Sequence, residues 1–384
     1  MDDGVLRILM ISGLDVQDFY GQSTRPYYLN KTLSGSGAKI LHICPRPPPE
    51  GIANASFIPA RIGARFHVKT ITASRIVAQS CLFRPNVLYV HQLAWMRTLG
   101  IRLSLLLSKP LVFDIHGSAT QELEASGRAK LSRVRDVEQV EAKALATADI
   151  VIVVSPELKH FLRTRFAVPE DRMLLVPNGV DLGRYRLSPT NDQLREARER
   201  LHIPHGNRII TFTCPRSEGF LSNELALEWF FQAVRILDSR RNDLTVLILG
   251  GGKIVPSSSS SVVYAGFVED LPGVLALSDT CVLPYPPNAV CGGVRNKTLE
   301  YFAAGKPVVS TTEGMRGIQE AVAGRDYLLA NDAEEFAERI LDAISDKTLA
   351  LKIGSNGLAI AKRYDWSVMG QKVYGVLSSL TSRK

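Results

Sequence analysis

The 384-residue chain has no uninterrupted apolar run of about 18 residues, the length a helix needs to cross a bilayer. The nearest approach, Ile101 to Val112, is broken by Arg102, Lys109 and Pro110. Cysteine is scarce. Cys44, Cys81, Cys214, Cys281 and Cys291 are scattered, odd in number and never in a C-x-x-C pair. Such spacing argues against a disulfide framework and a zinc site, and fits a reducing, cytoplasmic compartment. The first residues run straight into Val5-Leu6-Arg7-Ile8-Leu9-Met10-Ile11, without the basic, apolar and cleavage regions of a secretory signal. No Asp-x-Asp pair is present to offer a divalent cation two carboxylates, so no metal is expected to be required. Ser257–Ser261 is the one low-complexity tract and reads as an exposed loop.

What is present is ordinary for a globular chain: 45% hydrophobic and 22% charged residues, with length enough for two domains. The net charge of +8 is uneven, since residues 1–180 carry 22 Lys and Arg against 15 Asp and Glu. A basic half either faces an anionic partner, such as a membrane surface, a phosphorylated acceptor or nucleic acid, or is a solvated face with none. Arg61, Arg65, His67 and Lys69 around Phe66, together with Trp95, Arg97, Arg102 and Lys109, would form a peripheral contact with anionic lipid. Alternatively they form a solvated face over a buried Trp95. No nucleic-acid-binding module is recognisable, so nucleic acid is not an expected partner.

Short β-branched runs at 5–12, 38–44, 86–91, 110–115, 149–154 and 173–176 alternate with helical spacing at 25–36, 69–82, 93–107, 118–147 and 156–166. The alternation pauses over a polar stretch, 188–207, and restarts with apolar runs at 209–213, 246–249, 262–264, 280–283 and 308–310. Three helical segments follow from about 332. This pattern predicts an α/β protein of two doubly wound, Rossmann-like parallel-sheet domains. The expected division is 1–180, 181–364 and a final helix, 365–384. Ligands of such sheets bind beyond the carboxyl ends of strands, so two of them face to face would share a central cleft.

The most informative segment is Gly292-Gly293-Val294-Arg295-Asn296-Lys297-Thr298-Leu299-Glu300-Tyr301-Phe302-Ala303-Ala304-Gly305-Lys306-Pro307. A glycine pair leads into a helix whose free amides suit a phosphate or sugar oxygen. Lys297 and Glu300, three apart, project from one face of its first turn, ready for a phosphate and for ribose hydroxyls. The plainer reading is a capped surface helix with a solvated ion pair. Gly250-Gly251-Gly252-Lys253 lacks phosphate-loop spacing and reads as a turn.

From about residue 145 onward, this segment with Gly266-Phe267-Val268, Leu283-Pro284-Tyr285, Val176-Pro177-Asn178-Gly179-Val180-Asp181 and Tyr364-Asp365-Trp366 resembles the retaining glycosyltransferases of the GT-B fold, family 4-like. Before residue 145 the resemblance is looser. It implies transfer of a hexose-type sugar from a UDP- or GDP-sugar to a saccharide or lipid-linked acceptor, in glycan or cell-envelope polysaccharide synthesis. No cofactor is implied beyond the nucleotide sugar. Glu300 would hold the ribose hydroxyls, and Arg216 the diphosphate, helped by Lys297 and Arg295. Phe267 and Val268 would border the nucleoside, and Gly292, Gly293, Val294 and Asn296 would complete the donor site. In the first domain, His116 would contact the transferred sugar, Asp114 would orient its loop, and Gly21 would approach the phosphate. The last helix would return to the first domain. The chain departs from the family in having Gly292 where a second Glu is common, and Leu221 where a Lys is common. Two other readings stand beside this one: a nucleotide-sugar epimerase of the same fold, and a two-domain binding protein without chemistry.

Overall fold

The computed structural model describes residues 4–13, 23–48, 50–60, 70–91, 94–127, 129–186, 189–214, 221–250, 261–290 and 294–382. The chain divides into two compact units, one formed by Met1–Asn178 with Trp366–Lys384 and the other by Gly179–Asp365.

The first unit is built on seven parallel strands: β1 (Arg7–Ile11), β2 (Lys39–Cys44), β3 (Ala55–Pro59), β4 (Val87–His91), β5 (Leu111–Ile115), β6 (Ile150–Val153) and β7 (Met173–Leu175). Their order is β3-β2-β1-β4-β5-β6-β7. The helices are α1 (Thr24–Gly35), α2 (Thr70–Phe83), α3 (Ala94–Leu107), α4 (Ala119–Ser126), α5 (Leu131–Thr147) and α6 (Pro156–Phe166). β4 and β5 are buried at every residue, which is why they read as unbroken apolar runs: helices cover both faces of a parallel sheet. β3 carries no such signal. It lies at the sheet edge, only Ile58 is buried, and Pro59 is tolerated because an edge strand can spare a donor. The single helix predicted over 118–147 is two, because Gly127 adopts φ +62° and ends α4.

The second unit repeats the plan with β8 (Arg208–Thr213), β9 (Leu244–Leu249), β10 (Val262–Gly266), β11 (Thr280–Leu283), β12 (Val308–Ser310) and a two-residue β13 (Leu328–Leu329), in the order β10-β9-β8-β11-β12-β13. Its helices are α7 (Asn191–Arg200), α8 (Leu221–Arg240), α9 (Leu271–Leu277), α10 (Asn296–Ala303), α11 (Ala333–Ser345) and α12 (Lys347–Ala361). α7 falls in the stretch read as a pause. It buries no residue, and a Thr190–Gln193 capping box holds its start. Where the chain enters and leaves this unit, Val180 N donates to Tyr364 O over 2.9 Å.

The last helix, α13 (Trp366–Ser382), belongs to the first unit and packs on α1. Trp366 stacks on Tyr28 with centroids 5.5 Å apart. A Cβ at Gly370 would lie 2.1 Å from Thr32 Oγ1, so glycine permits the close approach.

Candidate functional site

In each unit the strand order reverses beside the first strand, between β1 and β4 and again between β8 and β11. Loops on either side of such a reversal diverge and leave a crevice beyond the carboxyl ends. The polar side chains buried there are the candidates.

In the first unit β4 ends at His91, while β5 carries Asp114 with His116 just beyond. Alternation along the strand puts Asp114 and His116 on one side. The fully buried Asp114 Oδ2 accepts from Tyr89 OH at 2.6 Å and from Arg25 Nε at 2.8 Å. Arg25, on α1 and 1% exposed, also donates Nη1 to Pro177 O at 2.9 Å and to Asn178 Oδ1 at 3.3 Å. Burial pushes the Asp114 carboxyl up, but Arg25, His116 and His91 outweigh it and bring it to about 2. Burial also keeps both imidazoles neutral, His116 at about 4 and His91 well below its ordinary range. His91 Nδ1 lies 3.3 Å from His116 Nε2, and His116 Nε2 lies 3.7 Å from Asp114 Oδ1.

The ligand atoms of His91, Asp114 and His116 fall within 4.8 Å of one another, close enough to surround a metal ion. Electrostatics oppose one. The Arg25 guanidinium already balances the single charge of Asp114, so a divalent ion would bury an excess of two positive charges. The cluster is better suited to holding His116 in a fixed, neutral state.

The loop after His116 is clamped from the other side by Glu141 of α5. Its carboxylate accepts from Ser118 Oγ at 2.8 Å, Ala119 N at 3.0 Å and Thr120 N at 3.2 Å, and Arg97 Nη2 stands 3.5 Å away. Arg97 is therefore an interior residue, 6% exposed, and not part of a basic lipid-facing surface.

In the second unit the reversal lies beside α10, which is far from a solvated surface helix. Lys297, Thr298, Leu299, Tyr301, Phe302 and Ala303 are buried, and Gly305 at φ +65° turns the chain toward β12. Lys297 and Glu300 form no ion pair. Lys297 turns inward and donates Nζ to Tyr285 OH at 2.5 Å, with the Phe212 ring centroid 5.0 Å away. The residue is 8% exposed and, among the described residues, its ammonium meets no carboxylate within ion-pair distance. Arg295, just before the helix, places its guanidinium 3.7 Å from the Tyr285 centroid and donates Nη2 to Ala289 O at 2.7 Å and to Glu313 Oε1 at 3.2 Å. Glu300 is half-buried. Burial raises its carboxyl pKa against the attraction of Arg184 and Lys297, and no described residue hydrogen-bonds it.

Val294, Arg295, Asn296, Lys297 and Glu300 thus come together around the first turn of α10. Phe267, 57% exposed, and the half-buried Val268 follow β10, an edge strand of the sheet. Gly21, Arg216, Gly292 and Gly293 lie outside the described residues, as do Arg61, Arg65, Phe66, His67 and Lys69. Sequence reasoning missed Arg25, Tyr89, His91 and Glu141. Arg25 and Asp114 are 89 positions apart, and no local spacing marks such a pair.

Comparisons with known proteins agree with this architecture. Residues 20–184 match the family described as Glycosyltransferase Family 4, and residues 217–346 match Glycosyl transferases group 1. An uncharacterized glycosyltransferase of Methanocaldococcus jannaschii is 23% identical over 309 residues, covering 76% of this chain and 74% of that protein. Sucrose-phosphate synthase from Thermosynechococcus elongatus superposes with a TM-score of 0.76 at 18% identity, covering 99% of this chain and all of that one. Anabaena HepE, in a crystal structure with UDP, gives 0.72 at 17% identity, covering 97% and 100%.

Proposed function

The chain is a family 4-like glycosyltransferase with the GT-B fold, and from that premise we propose that it transfers a hexose-type sugar from a UDP- or GDP-sugar to a saccharide or lipid-linked acceptor, with retention of configuration. One observation carries the donor assignment. Lys297 is a buried ammonium at a helix start and a sheet reversal, with no carboxylate within ion-pair distance among the described residues. A buried unpaired charge costs several kcal/mol, and a diphosphate offsets that cost. HepE, with the same fold, binds UDP at its own site, which supports a nucleotide as the anion.

In this reading Lys297 and Arg295, with Arg216, hold the diphosphate, and Glu300 accepts hydrogen bonds from the ribose hydroxyls. In the first unit His116 is assigned to the transferred sugar, oriented by Asp114. As the bond from the anomeric carbon to the diphosphate breaks, the acceptor oxygen forms its bond on the same face. The acceptor proton passes to the leaving phosphate oxygen. The residues act by stabilising charge that grows on the leaving group. The reaction requires no metal in this scheme.

We further place the protein at the cytoplasmic side of a membrane, in glycan or cell-envelope polysaccharide synthesis, held by peripheral contact with anionic lipid. The excess of basic residues in 1–180 and the exposed Leu82, Leu105 and Leu106 support that placement. Among the described residues no helix is long and apolar enough to cross a membrane.

A melting panel of UDP-, GDP- and ADP-sugars tests the donor assignment. A true donor at about 100 times its dissociation constant stabilises the fold that binds it by about 2.7 kcal/mol. No shift with any UDP- or GDP-sugar would sink the reading. Nucleotide release that needs no acceptor, or a converted sugar still bound to nucleotide, would favour an epimerase instead.

A further inference from the structure

Tyr285 lies two residues past the end of β11 and is 1% exposed, yet its ring and its hydroxyl serve two different cations. The Arg295 guanidinium lies over the ring, 3.7 Å from its centroid. The hydroxyl donates its one proton to Asn223 Oδ1 at 2.9 Å, which turns the oxygen lone pairs toward Lys297 Nζ at 2.5 Å. Asn223 stands in the first turn of α8, so three segments distant in sequence meet at this one phenol.

Tyr285 is itself firmly held. Its carbonyl accepts from Thr311 Oγ1 at 2.5 Å, and its ring meets the Phe212 ring edge-on with centroids 6.0 Å apart. Lys297 has a flexible four-carbon stem, and among the described residues the bond to Tyr285 is the one hydrogen bond that fixes its ammonium. It uses one of three N–H groups and leaves two for an anion. Arg295 is similarly constrained: Glu313 holds one end of its guanidinium while the Tyr285 face supports the plane.

We propose that Tyr285 is a positioning residue that sets both Lys297 and Arg295 toward the donor diphosphate, acting through them and not by touching the substrate. The inference rests on the donor site proposed above. If it holds, loss of the hydroxyl weakens binding only of ligands that carry phosphate, which a general packing defect would not do.

The test is calorimetry of UDP, GDP, uridine and guanosine with wild type, Tyr285→Phe, Lys297→Met and the double variant, each checked for an unchanged ligand-free melting temperature. Tyr285→Phe is expected to weaken the tighter-binding diphosphate about tenfold, the scale of one charge-assisted hydrogen bond, and to leave its nucleoside unaffected. In the Lys297→Met background the same change should cost less than about twofold, because the two residues act as a unit. Tyr285→Leu, which also removes the ring beneath Arg295, should weaken the diphosphate further. If Tyr285→Phe does not fold, Asn223→Ala removes the group that directs the hydroxyl and should give a smaller loss with the same phosphate dependence.

Equal diphosphate affinity in wild type and Tyr285→Phe, alongside a loss in Lys297→Met, would overturn the inference and leave the donor site standing. Equal losses for diphosphate and nucleoside would also overturn it. If wild type binds neither diphosphate, the donor site fails and this inference fails with it.

Discussion

Arg25 and Asp114 form an ion pair with both partners removed from solvent, Nε 2.8 Å from Oδ2. Arg25 also reaches Pro177 and Asn178, the last residues of the first unit before the chain leaves it. A single guanidinium therefore ties α1, the end of β5 and the segment after β7. Such a pair adds little stability over a well-packed apolar substitute, but removing one partner strands a buried charge, typically at about 3–5 kcal/mol.

That pair and its histidine neighbours make stability depend on acid. The Asp114 carboxyl is lowered from 3.8 to about 2, so its contribution, about 2 kcal/mol by linkage, is full above its unfolded pKa and vanishes as pH falls toward 2. Burial lowers His116 from 6.5 to about 4 and His42 from 6.5 to about 3. Both are neutral when folded and take up protons more readily when unfolded. Their contribution is therefore complete above pH 6.5 and declines below it. Urea midpoints should fall steadily from about pH 6.5 to 4, with the carboxylate adding to the loss at still lower pH. A flat midpoint over that first interval would contradict the buried, neutral assignment.

Glu300 is the residue whose loss should matter most for nucleotide binding. A carboxylate that accepts from both ribose hydroxyls makes charge-assisted bonds of roughly 1.5–3 kcal/mol each. Glu300→Ala should weaken the free nucleoside diphosphate at least about tenfold, and Glu300→Gln should fall between it and wild type. A folded alanine variant that binds the nucleotide as tightly as wild type, measured by calorimetry, would place Glu300 outside the donor site.

Turnover should persist in excess EDTA, because the proposed charge on the leaving group is met by Lys297, Arg295 and Arg216. Complete loss of activity that magnesium restores would show that a cation does this work.

Anionic vesicles at low salt should sediment more of the protein than neutral ones. Each basic residue near such a surface contributes about 1 kcal/mol, screened by salt. Equal sedimentation with both would remove the lipid contact.

How far the sequence reaches is visible residue by residue. Strands such as β4 and β5 were legible because a strand buried on both faces must be apolar at every position, a local property. The turn after α10 was legible for the same kind of reason, since Gly305-Lys306-Pro307 cannot continue a helix. The edge strand β3 and the helix α7, which buries no residue completely, escaped, because neither buries a periodic face. Side-chain partners lay beyond reach altogether. Lys297 and Glu300, three apart on one helix, read as a pair, yet the ammonium bonds to a phenol from another strand end and the carboxylate stands apart. Arg25 meets Asp114 only because the parallel sheet brings α1 beside the end of β5. Local sequence determines which residues can form an element and which cannot. Which charge meets which partner is decided by the packing of elements distant along the chain, where burial makes an unpaired group costly enough to select its contacts.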